Sequence, residues 1–253
     1  MLKILLSGCN GRMGRFITQL TDESDAQTIV AGIDVAGDSC QGFPVYQRPE
    51  FVDQKADVLI DFSNPSLLSS LLEFCVARKM PAVFCTTGYS DEQILEIKKA
   101  SEIIPIFFSF NMSIGINLLI SLAKTAAQVL GNDFDIEIVE KHHNQKLDAP
   151  SGTALMIAGA INEVSDGRYQ YEYDRHARRA VRPKNEIGIH SIRGGTIVGE
   201  HKVIFAGTDE TLSLTHTAGS RNAFAAGALR AAEFLLHQTP GLYDMNNLIQ
   251  KSS

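Results

Sequence analysis

The residues with the densest chemistry lie in one run, Glu140-Lys141-His142-His143-Asn144-Gln145-Lys146-Leu147-Asp148-Ala149-Pro150-Ser151-Gly152-Thr153-Ala154. Two imidazoles and two ammonium groups fall close together at Lys141, His142, His143 and Lys146. Histidine exchanges protons near neutral pH, and lysine carries a cation whose proton solvent can replace. The run therefore has the parts of a general acid beside an anion site. A helix start follows. Pro150 is excluded from helix interiors and central strands, Ser151 is a good N-cap residue, and residues 154–158 favour helix. A helix beginning there aims backbone N–H groups and the positive end of its dipole back at the histidines and lysines. Gly152 lets a ligand approach that backbone and Thr153 adds a hydroxyl, so the expected occupant is an anion such as a carboxylate. The bland alternative is a solvated polar loop ahead of an ordinary helix. The rest of the chain argues against it.

What must hold such a site begins at the amino end. Residues 2–6 are an apolar run of the buried parallel-strand type, ending at Ser7-Gly8. Gly8-Cys9-Asn10-Gly11-Arg12-Met13-Gly14 follows, then a helical stretch over 15–20, then a second strand over 28–33 ending at Asp34. The order strand, glycine turn, helix, strand, acid is the dinucleotide-binding pattern, in which the acid accepts hydrogen bonds from the adenosine ribose. Gly8 permits the turn, Gly11 lets a pyrophosphate approach, and Gly14 lets helix and strand pack closely. Further strands are expected over 56–62, 81–85 and 103–108. A helix from Pro65 to 76 and another over 91–101 separate them. The strand ends at Phe62-Ser63, Thr86-Thr87-Gly88 and Ser109-Phe110-Asn111-Met112 are the natural walls for the ribose and nicotinamide.

After Asn111 the pattern changes. Residues 116–130 read as a helix and 134–140 alternate, with Phe134, Ile136 and Ile138 on one face. Three more runs, over 187–193, 197–205 and 211–217, suggest one mixed or antiparallel sheet covered by helices. The basic stretch between Gly167 and Lys184, with Arg175, His176, Arg178, Arg179 and Arg182, reads as a solvated loop able to guide an anionic substrate. Residues 222–236 show one apolar helical face and should return to the first sheet. The expected organisation is α/β: a Rossmann-type domain of residues 1–111 plus 222–253, with an inserted α+β substrate-binding and oligomerisation domain over 112–221. Two crossings at one place would make a hinge, with substrate meeting nicotinamide in the cleft.

Composition excludes other classes. Among 253 residues, 44% are hydrophobic and 21% charged, with a net charge of −6. That balance argues against a nucleic-acid binder relying on general basicity. Nothing approaches the roughly 18 consecutive apolar residues of a membrane span, and the amino end lacks signal-peptide architecture. Cys9, Cys40, Cys75 and Cys85 are widely spaced, without a C-x-x-C pair, and read as reduced, mostly buried thiols of a cytoplasmic protein that holds no metal.

The long run around His142 resembles the signature of the 4-hydroxy-tetrahydrodipicolinate (dihydrodipicolinate) reductase family. Gly8-x-x-Gly11-Arg12-Met13-Gly14, Asp61-Phe62-Ser63, Thr86-Thr87-Gly88, Asn111-Met112-Ser113-x-Gly115-x-Asn117 and Gly199-Glu200-His201 match it in order, from the first strand to the final helix. The resemblance implies reduction of a cyclic, imine-containing dicarboxylate with NADH or NADPH, in the diaminopimelate route to lysine. It implies proton-donor roles for His142 and Lys146, and substrate carboxylates held by His143, Lys146, Gly152 and Thr153. It places the cofactor against Gly8, Cys9, Asn10, Gly11, Arg12, Met13, Asp34, Cys85, Thr86, Thr87, Ser109, Phe110, Asn111 and Met112. Cys85 stands where the family often has glycine. The resemblance also implies a homotetramer built through the sheet of the second domain. Asp34 followed by Val35, not arginine, implies that NADH is preferred and NADPH still usable.

Adjacent residues in an extended backbone point to opposite sides, so His142 and His143 should have different jobs. A semialdehyde dehydrogenase is the rival enzyme reading. It needs a cysteine nucleophile, for which Cys85 is the candidate near a strand end. A nucleotide-sensing regulator without catalysis is the non-enzymatic one, and it would not need His142 and Lys146 beside an anion site.

Overall fold

The glycine turn after the first strand opens a doubly wound sheet. The computed structural model describes residues 1–37, 42–177 and 179–251, so Cys40 and Arg178 lie outside the described residues. Two compact units emerge, one of Met1–Ile114 with Arg221–Ser253 and one of Gly115–Ser220.

In the first unit the chain runs β1 (Leu2–Ser7), α1 (Arg12–Asp22), β2 (Gln27–Ile33), β3 (Val45–Tyr46), β4 (Val58–Asp61), α2 (Leu68–Arg78), β5 (Ala82–Phe84), α3 (Asp91–Ser101) and β6 (Pro105–Phe108). The chain's later return adds β12 (Gly241–Tyr243) at one edge. All pairings are parallel, in the order β12-β6-β5-β4-β1-β2-β3. Side chains of a strand alternate between faces, and both faces here are covered. Ile4, Leu6, Val58, Ile60, Val83 and Phe107 enter one apolar cluster, while Leu5, Leu59, Ala82, Phe84 and Ile106 enter the other. That is why these strands read as continuous apolar runs.

The second unit carries α4 (Ile114–Leu130), β7 (Asp135–His142), α5 (Gly152–Glu163), β8 (Gln170–Glu172), β9 (Glu186–Arg193), β10 (Gly199–Ala206) and β11 (Thr211–Ala218). Its mixed sheet has the order β11-β10-β7-β9-β8, with β7, β9 and β8 mutually parallel and β10 antiparallel to both its neighbours. Ile136, Ile138, Ile187, Ile189, Val203 and Phe205 pack beneath α4 and α5. The chain then returns to the first unit through α6 (Asn222–Leu235), β12 and α7 (Met245–Lys251). Ala225, Ala228, Leu229, Ala231, Ala232 and Leu235 of α6 join the first sheet's core.

Several expectations shift. The second unit begins at Gly115, three residues beyond the expected 112, because Met112 is buried in the first unit's core and Ile114 packs against it. The third expected strand starts at Val58 and the fifth at Pro105, and the helix expected from Pro65 begins as a 3-10 turn capped by Asn64. Strands β3, β8 and β12, of two or three residues, give too little alternation to be read. The basic stretch before Lys184 is not simply a solvated guide for anions. Arg182 donates to Glu137, Asp135 and the carbonyls of Ile136 and Glu186, and Arg175 pairs with Glu186.

Candidate active site

Strand periodicity builds the centre of the site. On β7 the residues alternate between half-buried and buried, so Glu140 and His142 share the inward face while Lys141 turns away to meet Glu200 on β10. Register completes the cluster. Parallel pairing sets Arg193 of β9 beside His142, and antiparallel pairing sets His201 of β10 opposite Glu140. Gly199 lies on the other side of His142, and a β-carbon there would stand 3.2 Å from His142 Nε2.

The Glu140 carboxylate is 0% exposed and gathers donors from three elements. Arg193 donates to it in a fork, Nη1 to Oε2 at 2.8 Å and Nη2 to Oε1 at 2.7 Å. His142 Nδ1 lies 2.6 Å from Oε2, and the backbone N–H of Ser151 donates to Oε1 at 3.1 Å. Burial works to raise the Glu140 carboxyl, but hydrogen bonds from Arg193, His142 and Ser191 outweigh it and hold it at about 2. His142 is pushed below its ordinary value, first by burial, with Lys146 and Arg193 adding to the effect and Glu140 opposing it. His201 is pushed down to about 4, chiefly by burial. The rings of His142 and His201 meet edge to face at 5.2 Å, and His201 Nε2 lies 3.0 Å from Ser151 Oγ.

Ser151 is the N-cap of α5, its hydroxyl accepting from Ala154 N–H at 3.2 Å. Gly152 and Thr153 are thus the first residues of the helix, and no atom would meet a β-carbon at Gly152 within 4 Å. Lys146 holds its ammonium 2.7 Å from Asp148 Oδ1. That hydrogen bond is the main cause holding Asp148 below the usual carboxylate range. His142 is buried at the end of β7, while His143 is half-buried in the loop beyond it.

In the first unit the residues expected to line a dinucleotide fall into three groups. Gly8, Cys9, Asn10 and Gly11 form the turn after β1, and Arg12 and Met13 open α1. Gly8 has φ +76°, and a β-carbon there would lie 2.5 Å from the Phe62 carbonyl oxygen. At Gly14 a β-carbon would run into the carbonyls of Gly8 and Cys9, so neither position accepts a side chain. Gly11 caps α1 without a side-chain hydrogen bond. Gly8, Gly11, Asp34, Val35, Phe62, Ser63 and their neighbours line a cavity of about 420 Å³. It lies at the carboxyl ends of β1, β2 and β4, where the strand order reverses. Asp34 accepts from the backbone N–H groups of Asn10 and Ala36, both at 3.0 Å.

The remaining residues lie at the ends of β5 and β6. Cys85 and Thr86 are buried and Thr87 is exposed. Thr86 donates to Asp61 at 2.7 Å, alongside Ser63 and Tyr89. Ser109 Oγ donates to the Asn111 carbonyl at 2.9 Å, Phe110 is exposed and Met112 is buried. Burial pushes the Cys85 thiol well above its ordinary value, which leaves the semialdehyde chemistry without a thiolate. Cys9 and Cys75 are likewise buried thiols. Among the described residues no cluster could hold a metal ion, and no helix is long and apolar enough to cross a membrane.

Sequence reasoning gives no role to Arg193, nor to Glu140 and His201, although the latter two lie inside the motifs that resemble the reductase family. The alternation of β7 is a usable signal for the pairing of Glu140 with His142. Arg193 depends on register between strands some fifty residues apart.

A glycine turn on a parallel sheet, with a histidine–carboxylate–arginine cluster in a second unit, defines a Rossmann-type two-unit oxidoreductase. The family models for dihydrodipicolinate reductase match residues 2–112 (N-terminus) and 115–249 (C-terminus). A curated 4-hydroxy-tetrahydrodipicolinate reductase of Caldanaerobacter subterraneus subsp. tengcongensis is 51% identical over 251 residues, 99% of either chain. One of Clostridium tetani is 49% identical, covering 98% of this chain and 97% of its own. A solved dipicolinate-bound dihydrodipicolinate reductase from Paenisporosarcina sp. TG-14 superposes with TM-score 0.82 at 27% identity, covering 97% of this chain and 99% of that one. The chain belongs to the dihydrodipicolinate reductase family.

Proposed function

We propose that this protein reduces 4-hydroxy-tetrahydrodipicolinate to tetrahydrodipicolinate with NAD(P)H, in the diaminopimelate route to lysine. The observation that carries the reading is the cluster at the N-terminus of α5, where a titrating imidazole, a lysine and helix N–H groups converge within a chain matched end to end by reductases of that name. The first unit, Met1–Ile114 with Arg221–Ser253, is the dinucleotide domain, and the second, Gly115–Ser220, binds substrate and builds the oligomer.

The cofactor, when bound, supplies a hydride. The residues present fit it: the close approach at Gly8 and Gly14 leaves the turn bare of side chains, and Gly11 opens α1 without a side chain over its N–H groups. Gly8, Cys9, Asn10, Gly11, Arg12 and Met13 hold the pyrophosphate, Asp34 the ribose, and Cys85, Thr86, Thr87, Ser109, Phe110, Asn111 and Met112 line the remainder. NADH is preferred and NADPH usable.

In the second unit, His143, Lys146, Gly152 and Thr153 hold the substrate carboxylates. A fixed cation and oriented N–H groups lower the cost of the electron density that reduction leaves on the ring, and His142 and Lys146 deliver the compensating proton. Because Lys146 pairs with Asp148, a substrate carboxylate competes with Asp148 for that ammonium. The assembly is a homotetramer formed through the sheet face opposite α4 and α5. That face carries Val139, Ile192 and Ile204.

The test is loss of reduced-nicotinamide absorbance with substrate generated by the preceding synthase. Turnover is expected, with competition from a planar aromatic 2,6-dicarboxylate. Lys146→Ala should lower kcat and raise KM together, by about 2–4 kcal/mol in kcat/KM, without changing cofactor affinity. No turnover, or a Lys146→Ala variant with normal rates, would overturn the reading.

A further inference from the structure

We infer that Glu140, clamped by Arg193, is a positioning residue that fixes His142 as the Nδ1–H tautomer, so that Nε2 alone gives and takes protons, and that couples this imidazole to the N-terminus of α5. The inference rests on the proposed proton-donor role of His142.

The count of donors and acceptors carries it. A carboxylate offers about four lone-pair sites. On Glu140 the donors are Arg193 Nη1 and Nη2, His142 Nδ1 and the Ser151 N–H, with Ser191 beside them. Arg193 is permanently charged, and its fork keeps Glu140 ionised and in one rotamer. An ionised carboxylate only accepts, so the 2.6 Å contact requires a proton on His142 Nδ1. Nε2 then bears the lone pair of the neutral ring, and protonation there makes the acid. The Gly199 backbone beside Nε2 carries no side chain that would cover it. The Ser151 contact matters as much. Ser151 is the residue whose hydroxyl caps α5, so one carboxylate holds both the imidazole and the start of the anion-binding helix. Arg193 also donates to the Asp148 carbonyl at 2.6 Å, which ties down the same loop. The charged and titrating groups facing His142 are Glu140 on its own strand, Arg193 from β9, His201 from β10 and Lys146 from the loop. Of these only Glu140 favours the imidazolium. Its removal leaves three groups that disfavour it or leave it unaided.

Long-range nitrogen–proton NMR of histidine labelled with nitrogen-15 reads the tautomer directly in the intact protein, with the His142 signals assigned by their loss in His142→Gln. Wild type is expected to show protonated Nδ1 and bare Nε2. Glu140→Gln should turn the ring toward the Nε2–H form that free imidazole prefers. It should lower kcat roughly 100-fold, the scale of a lost general acid. The pH at which activity fails on the alkaline side should move downward, with cofactor affinity unchanged. An Nε2–H tautomer in wild type overturns the proposal even if Glu140→Gln does not fold. An unmoved pH profile in a folded Glu140→Gln variant overturns it too. Full activity in His142→Gln would instead sink the proton-donor reading while leaving the tautomer measurement standing.

Discussion

Two fully buried carboxylates, one in each unit, show how surroundings decide what the same group does. Asp61 ends β4 and accepts from Ser63, Thr86 and Tyr89, all neutral donors. Burial raises its pKa, and those hydrogen bonds only partly offset the rise. Glu140 is as deeply buried but has an arginine fork, and it is held at about 2. Hydroxyls orient a carboxyl without compelling it to be charged, whereas a guanidinium compels it. The first unit thus uses its buried acid to brace a turn, at Ser63 and Thr86, beside the cavity lined by Gly8, Asp34 and Phe62. The second unit holds its acid as a fixed charge to which the His142 imidazole is hydrogen-bonded.

The harshest way to break this comparison is to remove the cation. Arg193→Met leaves Glu140 buried and uncompensated, and a loss of about 3–5 kcal/mol of stability is expected. Asp61→Asn, which mimics the neutral acid Asp61 tends toward, should cost within about 1 kcal/mol, since its neighbours are hydroxyls that can turn to donate or accept. Denaturant unfolding of both variants checks the contrast. Equal losses would mean that Asp61 is as firmly ionised as Glu140.

Acidification should separate the two regions by sign. His201 is held neutral, at about 4 against an ordinary 6.5. As pH falls below about 6.5 the unfolded chain takes up that proton first, so the second unit loses stability down to about pH 4, by roughly 3 kcal/mol. Glu140, with its depressed value, adds a further loss as pH falls below the ordinary carboxylate range toward about 2. Asp61 acts oppositely. Its raised value means the folded chain binds the proton first, so its contribution improves as pH falls through that value. Thermal unfolding against pH, followed in wild type and His201→Asn, reads this. A slope between pH 4 and 6.5 that survives His201→Asn would assign it elsewhere.

How much of this was legible follows from the range of the interaction involved. The glycine turn, Asp34 and the Ser151 cap are local, and residue type with spacing suffices for them. The apolar strands announced themselves because both faces of the first sheet are buried. By contrast, β12 spans three residues, and Arg193 meets Glu140 only through the register of β7 with β9. Such pairings are set by the packing of the whole sheet. Arg182, read as part of a solvated loop able to guide an anion, is fixed by the same kind of distant partner.

A third carboxylate sharpens the contrast with a smaller effect. Asp148 faces a cation as Glu140 does, but its side chain is 56% exposed. An exposed pair is worth at most about 1 kcal/mol. Asp148→Asn should therefore free Lys146 for substrate and lower KM by no more than about fivefold, with kcat little changed. Steady-state kinetics checks it, and a raised KM would show that Asp148 steers Lys146 instead of competing for it.

Asp34 is the fourth case, a half-buried acid that accepts from the backbone N–H groups of Asn10 and Ala36. Such donors fix its direction and leave its charge facing the cavity, where it can accept from a ribose 2′-hydroxyl and repel a 2′-phosphate. The next residue, Val35, is 70% exposed on the cavity wall and contributes no counter-charge. Arg12 is exposed at the start of α1, and on the proposed reading its charge would offset part of the repulsion. Opposite charges in contact near a protein surface interact by about 4 kcal/mol before water competes. The net preference is therefore the small difference between an attraction and a repulsion that are each larger than it. Val35→Arg places a second cation at the wall and should move kcat/KM toward NADPH by on the order of 1 kcal/mol, mostly through KM. Measuring both cofactors on wild type and Val35→Arg decides it. Wild type should favour NADH, and a wild-type preference for NADPH would mean that Arg12 outweighs Asp34.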